Sequence, residues 1–167
     1  MKQILILIYL SAWTSLANAQ DQTNMKINQE APVVISKAIM INEKPEKIWN
    51  TLSGISKWPE WNSKIKKASL EGGLKQGAEF VWVSGGSKIK SKIHTYHAHK
   101  TLGWTGKTFG AKAIHNWHFE VLEKGTKVTV EESMEGWLIG LLKKKMNSML
   151  PEDMTYWLEA LKSECEK

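Results

Sequence analysis

The chain has 167 residues, 42% hydrophobic and 24% charged, the size and make-up of one globular domain, which excludes a disordered chain and a polytopic membrane protein. Its 23 basic residues are all lysine and stand against 17 acidic ones, for a formal charge of +6. Arginine is the planar fork that reads guanine and clamps phosphate at two points, so its absence argues against a sequence-specific nucleic-acid reader, while lysine still attracts anions diffusely. Nine tryptophans against three Phe and three Tyr make the large aromatic surface mostly indole, which fills cores, lines pockets and carries one donor.

Lys2, the apolar run Ile4 to Leu10 and the small residues of Ala17-Asn18-Ala19 read as a secretory signal peptide over 1–19, cut before Gln20. The apolar run is too short to span a bilayer, which needs about 20 residues. No cysteine lies near the cut, which disfavours a lipid anchor. The single cysteine, Cys165, rules out an internal disulfide and is expected at the surface. Residues 20–31 are polar and aperiodic, a flexible leader ahead of one domain at 32–167.

Val33 to Ile41 is rich in β-branched residues and predicts a first strand. Asn42 is placed to cap the helix that follows, with Pro45 in its first turn, Glu46 near its positive end and Ile48, Trp49 and Leu52 on its buried face. Gly54 ends it, and a second short helical piece spans about Ser56 to Trp61. From 64 to 135, six strands alternate with turn residues at Gly72-Gly73, Gly85-Gly86, Thr101 to Gly103, Gly110 and Lys124-Gly125, an antiparallel meander. Lys88, Lys90 and Lys92 mark a wet face, which sends Ile89, Ser91, Ile93 and Thr95 inward. Glu120 similarly turns His115, Trp117, Phe119 and Val121 inward, and Lys127, Thr129 and Glu131 do the same for Val128, Val130 and Glu132. Helical spacing runs from Trp137 to the C-terminus, where Pro151 either opens a new helix or kinks one long helix. Met154, Trp157, Leu158 and Leu161 form a stripe that must cover the concave face of the sheet.

In this order, Pro45-Glu46-Lys47-Ile48-Trp49, Trp61-Asn62, His115 to Glu120, Gly125 to Thr129, Glu131-Glu132-Ser133 and Leu158 to Lys162 resemble the SRPBCC superfamily, in its polyketide cyclase/dehydrase and lipid transport branch. The resemblance covers about 33 to 166. It implies an α+β START-like helix-grip fold: a curved seven-stranded antiparallel sheet wrapped around a long C-terminal helix, two short helices after the first strand, and a cavity for an apolar ligand. It brings no catalytic motif and no cofactor with it, and its members include enzymes, carriers and sensors.

Within that frame the candidate ligand-binding residues are Trp61, Trp82, His97, Trp104, His115, Trp117, Glu132, Trp137 and Trp157, with Trp61 and Trp137 near the mouth. The strand tryptophans either line the cavity or fill it. His115 and Glu132 face inward on neighbouring strands, as an acid/base pair or as a buried contact that fixes strand register. His97 and His99 have the spacing of a two-histidine chelate but no third ligand, so no metal is expected. Lys143-Lys144-Lys145 and Lys64, Lys66 and Lys67 read as solvated faces that could also bring the cavity mouth into transient contact with a membrane surface. No Gly-rich phosphate loop or nucleophile elbow is present.

Three functions follow as expectations. The first is an exported monomer, periplasmic or secreted, that binds a small hydrophobic or amphipathic ligand without cofactor or nucleic acid. The second is a cyclase/dehydrase-like enzyme using His115 and Glu132 for proton transfer, and the third a cell-envelope interaction protein with a filled core. The intact mass of the protein recovered after export is expected to correspond to a chain starting at Gln20; an intact mass that retains Lys2 and the apolar run would contradict the signal-peptide reading.

Overall fold

The computed structural model describes residues 25–167, so the expected signal peptide and the start of the leader lie outside the described residues. The chain runs β1 (Val33–Ile41), α1 (Pro45–Ser53), a 3-10 turn (Ile55–Lys57), α2 (Trp58–Trp61), then β2 (Ile65–Leu70), β3 (Glu79–Ser84), β4 (Ser87–His97), β5 (Thr101–Thr108), β6 (Ala111–Leu122) and β7 (Gly125–Glu135), and ends in α3 (Trp137–Leu141) and α4 (Lys143–Cys165). All strand pairs are antiparallel, in the order β1-β7-β6-β5-β4-β3-β2. Only β1 leaves the meander order. It crosses over through the two helices and pairs with β7, so the helices lie at one end of the sheet and α4 packs across its inner face. This is the α+β helix-grip arrangement expected from the sequence.

Local chemistry accounts for the boundaries. Pro45 occupies the first turn of α1, where its fixed φ suits a helix start and its missing N–H is not needed. Asn42 does not cap α1; Lys44 takes that position, and the Asn42 N–H is bound instead by Glu166 Oε1 at 2.7 Å from the end of α4. Ile48, Trp49 and Leu52 are buried as their spacing requires. Pro151 neither starts nor divides a helix: α4 runs through it, and the interruption falls at Leu142, between α3 and α4. Leu150, Met154, Trp157, Leu158 and Leu161 form the inner face of α4. Cys165 continues that face one turn beyond Leu161 and is fully buried, so the expectation of a surface thiol fails, and burial pushes its pKa up.

Trp58 is the centre of the interior. Its ring lies within 5.1 to 5.7 Å of Phe80, Trp82, Trp104 and Trp157, mostly edge-on, and its indole N–H donates to the Leu52 carbonyl at 2.7 Å. A second aromatic group, Trp49 with Tyr96, His99 and Phe119, ties α1 to the sheet.

The inward register of β6 and β7 follows the sequence pattern, with His115, Trp117, Phe119, Val128, Val130 and Glu132 buried. At the end of β6 that pattern runs out, and Val121 is exposed. β4 departs from simple alternation. Ile93 pairs with Trp104 but Thr95 with Gly103, so His94 is an extra residue in a β-bulge. Beyond it the faces exchange: Tyr96, opposite Leu102, points inward, while Thr95 and His97 take the outer face. Thr95 is nevertheless buried, because residues 25–31 lie across that outer face. Ile27 is buried there, the Asn28 N–H donates to Ser133 Oγ at 3.0 Å, Asn28 Nδ2 donates to Glu135 Oε2 at 3.0 Å, and Asn116 Nδ2 donates to the Met25 carbonyl at 2.9 Å. This part of the leader is therefore a strap on the sheet and not a free arm.

The bulged His94 ring lies over Gly103, where a Cβ would come within 2.5 Å of it, and its Nδ1 is 2.9 Å from Thr95 Oγ1. Burial lowers the imidazole pKa from 6.5 to about 4, helped by the charge of His115 and opposed by the Trp104 backbone. A histidine kept neutral in the fold binds its proton more readily when unfolded, so stability is lost as pH falls from about 6.5 towards 4. Chemical denaturation across that range is expected to show this loss in the wild type and a smaller one in His94→Asn; equal pH dependence in the two proteins would contradict a neutral buried His94.

Candidate functional site

Between the inner face of the sheet and the first half of α4 lies a cavity of about 400 Å³. From the sheet it is lined by Trp82, Ile89, Ala113, His115, Glu132 and Met134, and from the helices by Leu138, Ile139, Met146, Leu150, Met154 and Trp157. The walls are aliphatic, thioether and indole, the adaptable lining that suits an apolar guest. The cavity exists because the tryptophans are unevenly distributed. Trp58, Trp104 and Trp117 are fully buried and fill the interior beyond Trp157, while the stretch from Trp157 to α3 carries smaller side chains. A filled core is thus found at one end only, which removes the support for a protein whose interior is closed throughout.

The inner end of this cavity holds its one buried polar pair. His115 and Glu132 are direct cross-strand partners on β6 and β7, and His115 Nδ1 is 3.1 Å from Glu132 Oε2. Both side chains are almost completely buried, at 9% and 3% exposure. Glu132 Oε2 makes no hydrogen bond besides this contact. Trp104 stacks on the His115 ring from behind, at 5.3 Å and 21°, and Trp82 meets it edge-on. Gly106 also lines the cavity, and a Cβ there would lie 3.9 Å from His115 Nε2, so glycine leaves space beside that nitrogen. Burial of either group alone would be costly, and the contact between imidazole and carboxylate offsets part of that cost.

Of the residues expected to form the site, Trp82, His115, Glu132 and Trp157 line the cavity. Trp104 and Trp117 stand behind its wall and fill the core. Trp61 packs against Trp157 on the far side, by α2. Trp137 is 61% exposed and packs on Phe109, outside the lining. His97 falls on the outer face because of the bulge and is exposed. His99 sits in the following turn at φ 61° against Trp49, so the two histidines do not converge, and no group of three His, Cys, Asp or Glu suited to a metal occurs among the described residues. Sequence reasoning missed the methionine and leucine wall, whose signal was present in the helical spacing of Leu138, Leu142, Met146 and Met149. Lys64, taken as a solvated residue, lies at the rim, paired with Asp153 at 2.6 Å and over the Tyr156 ring. A broader groove over α1, lined by Glu43, Lys44, Glu46 and Lys47, is shallow, polar and open to solvent.

Among solved structures, the chain is similar to a hypothetical protein from Helicobacter pylori, with 18% identity, 99% of each chain covered and a TM-score of 0.73. It is similar to a START superfamily protein from Mycobacterium smegmatis, with 16% identity, 80% of this chain and 97% of that one covered and a TM-score of 0.67. It also matches half of the di-domain ARO/CYC StfQ from the steffimycin biosynthetic pathway, with 14% identity, 80% of this chain and 50% of that one covered and a TM-score of 0.69. At such identities these likenesses establish the fold. A search of the curated proteins finds no match. The family pattern described as polyketide cyclase / dehydrase and lipid transport matches residues 32–166, from the first residue before β1 to the end of α4, and the chain belongs to that family.

Proposed function

We propose that the protein is an exported carrier that holds a small amphipathic molecule, its apolar body between β3–β7 and α4 and its polar end at the His115–Glu132 pair. The observation that carries this reading is the cavity itself: about 400 Å³, largely apolar along its sides, polar at its rim and ending in the buried His115–Glu132 pair. That volume falls within the range of small-molecule sites, and a few polar groups in an apolar wall are how such sites orient a guest. Sequestration needs no further machinery. Export rests on the Lys2, Ile4 to Leu10 and Ala17-Asn18-Ala19 pattern, and the monomeric state is part of the same proposal.

A second reading is favoured by one specific observation. The imidazole and carboxylate that touch at the inner end are the groups a proton-transfer reaction would use, with Glu132 as base and His115 positioned beside it. In that case the guest would be converted and not merely held.

Mass spectrometry of small molecules extracted from natively purified protein is expected to recover an amphipathic compound. Ala113→Trp, which projects an indole into the cavity from β6, is expected to remove that compound while the thermal transition persists. Glu132→Gln, which removes the carboxylate charge from the inner end at nearly constant size, is expected to weaken binding about tenfold. A compound retained in Ala113→Trp at wild-type occupancy would contradict the cavity as the binding site. Recovery of a chemically altered compound, with alteration abolished in His115→Ala, would replace the carrier reading with the enzyme reading.

A further inference from the structure

We infer that the end of the molecule where the cavity opens is a docking surface for an anionic lipid bilayer. The inference builds on the cavity being a ligand site, but its evidence is separate. Phe109, Trp137 and Leu141 are 77%, 61% and 75% exposed, and Leu142 and Met149 are exposed beside them. Large apolar side chains grouped this way mark a surface that meets something apolar. They form one patch: Phe109 at the tip of the β5–β6 turn lies edge-on to Trp137 at 5.3 Å, and the Leu138 N–H donates to the Gly110 carbonyl at 3.1 Å. Leu142 and Met149 line the cavity as well, so the patch borders its mouth, whose other exposed edge is the β3–β4 turn at Gly85 and Ser87.

The patch is held outward by the backbone. Gly110 has φ 66°, and a Cβ there would come within 2.7 Å of the Trp137 ring; Gly136 has φ 122°, and a Cβ there would lie 2.4 Å from the Gly110 carbonyl oxygen. Only glycine at both positions lets the turn and α3 press together, with Ile139 turned inward and Trp137 and Leu141 outward.

Charge selects the partner. Lys107, Lys143, Lys144 and Lys145 are exposed around the patch, and among the described residues none of them has an ion-pair partner. The neighbouring carboxylates Glu135 and Asp153 are already matched by Lys112 at 2.7 Å and Lys64 at 2.6 Å. Glu152 and Glu159, farther along α4, are the acids that remain exposed on that helix. An indole at the surface with a collar of lysine is suited to the boundary between headgroups and acyl chains of an anionic membrane. A second copy of the chain would bring the same lysines face to face. Docked this way, the cavity mouth would face the acyl region, and an apolar guest could pass without crossing water.

Leu141→Cys, labelled with a polarity-sensitive fluorophore, reports on this surface, because the native Cys165 is buried and resists labelling. Lys124→Cys labels the opposite end of β6, roughly 35 Å away along the strand. With vesicles of phosphatidylcholine containing about 30% phosphatidylglycerol, emission from the label at position 141 is expected to rise and shift to the blue, while the label at 124 stays unchanged. Pure phosphatidylcholine should give little response, and Lys143→Glu/Lys144→Glu/Lys145→Glu should raise the lipid concentration needed by about tenfold or more. No response at 141, an equal response at both labels, or a lipid-independent dimer that Trp137→Ser abolishes would overturn the inference. The carrier reading is judged separately: Trp137→Ser protein that keeps its extracted compound but no longer responds to vesicles confirms the docking surface as distinct from the binding site. A vesicle response from protein that never yields a compound supports docking while defeating the carrier reading.

Discussion

The interior of this protein depends on where one indole sits. Trp58 opens α2, a single turn after α1, and drives its ring between the sheet and α4, touching Phe80, Trp82, Trp104 and Trp157 at once. Its N–H is taken by the Leu52 carbonyl, so the ring enters the core with its one polar atom paired. Aromatic pairs of this kind contribute about 0.5–1.5 kcal/mol each beyond the area they bury. More important is the geometry: a wedge of five large rings at one end keeps α4 and the sheet apart, and the smaller side chains towards α3 do not fill the gap it leaves. The buried indole N–H groups of Trp104 and Trp117 meet no protein acceptor, so it is their rings that make the contacts at this end.

The boundary between filled and open interior is also where the buried polar pair lies. His115 has the stacked Trp104 on one side and the cavity on the other, and Glu132 lies at hand on the next strand. A pair placed wholly within the packed half would be a register device and nothing more. At the cavity wall, the same pair also borders the open space. The position of the tryptophans thus decides whether the two polar residues meet packed rings alone or open space as well.

Much of this was legible before the structure. A β-branched run between Pro32 and Asn42 gives β1 its limits, and Glu120, Lys127 and Glu131 mark the outside of β6 and β7 clearly enough to place His115 opposite Glu132. The bulge at His94 was hidden because Thr95, Tyr96 and His97 carry no apolar/charged alternation, and one extra residue there moves His97 out of the site. Trp137 lies by the mouth but does not line the cavity; the glycines at 110 and 136 that turn it outward act through a contact distant in sequence. Asn42 is a good cap by type, yet proline at 45 starts the helix and Glu166, far along the chain, claims the Asn42 N–H. The strap at 25–31 is polar and aperiodic, so only the complementary acceptors on the outer face reveal its role. The burial of Cys165 could have been read from its place one turn after Leu161.

The central claim is that the sheet and α4 enclose an open apolar space beside a solid aromatic one. Xenon under pressure enters preformed apolar voids and not packed cores, so diffraction from a pressurised crystal tests it directly. Xenon density is expected among Ala113, Met134, Met146 and Met154, with none among Trp58, Trp104 and Trp117. Density absent from the first region, with α4 closed down upon β6 and β7, would contradict the account.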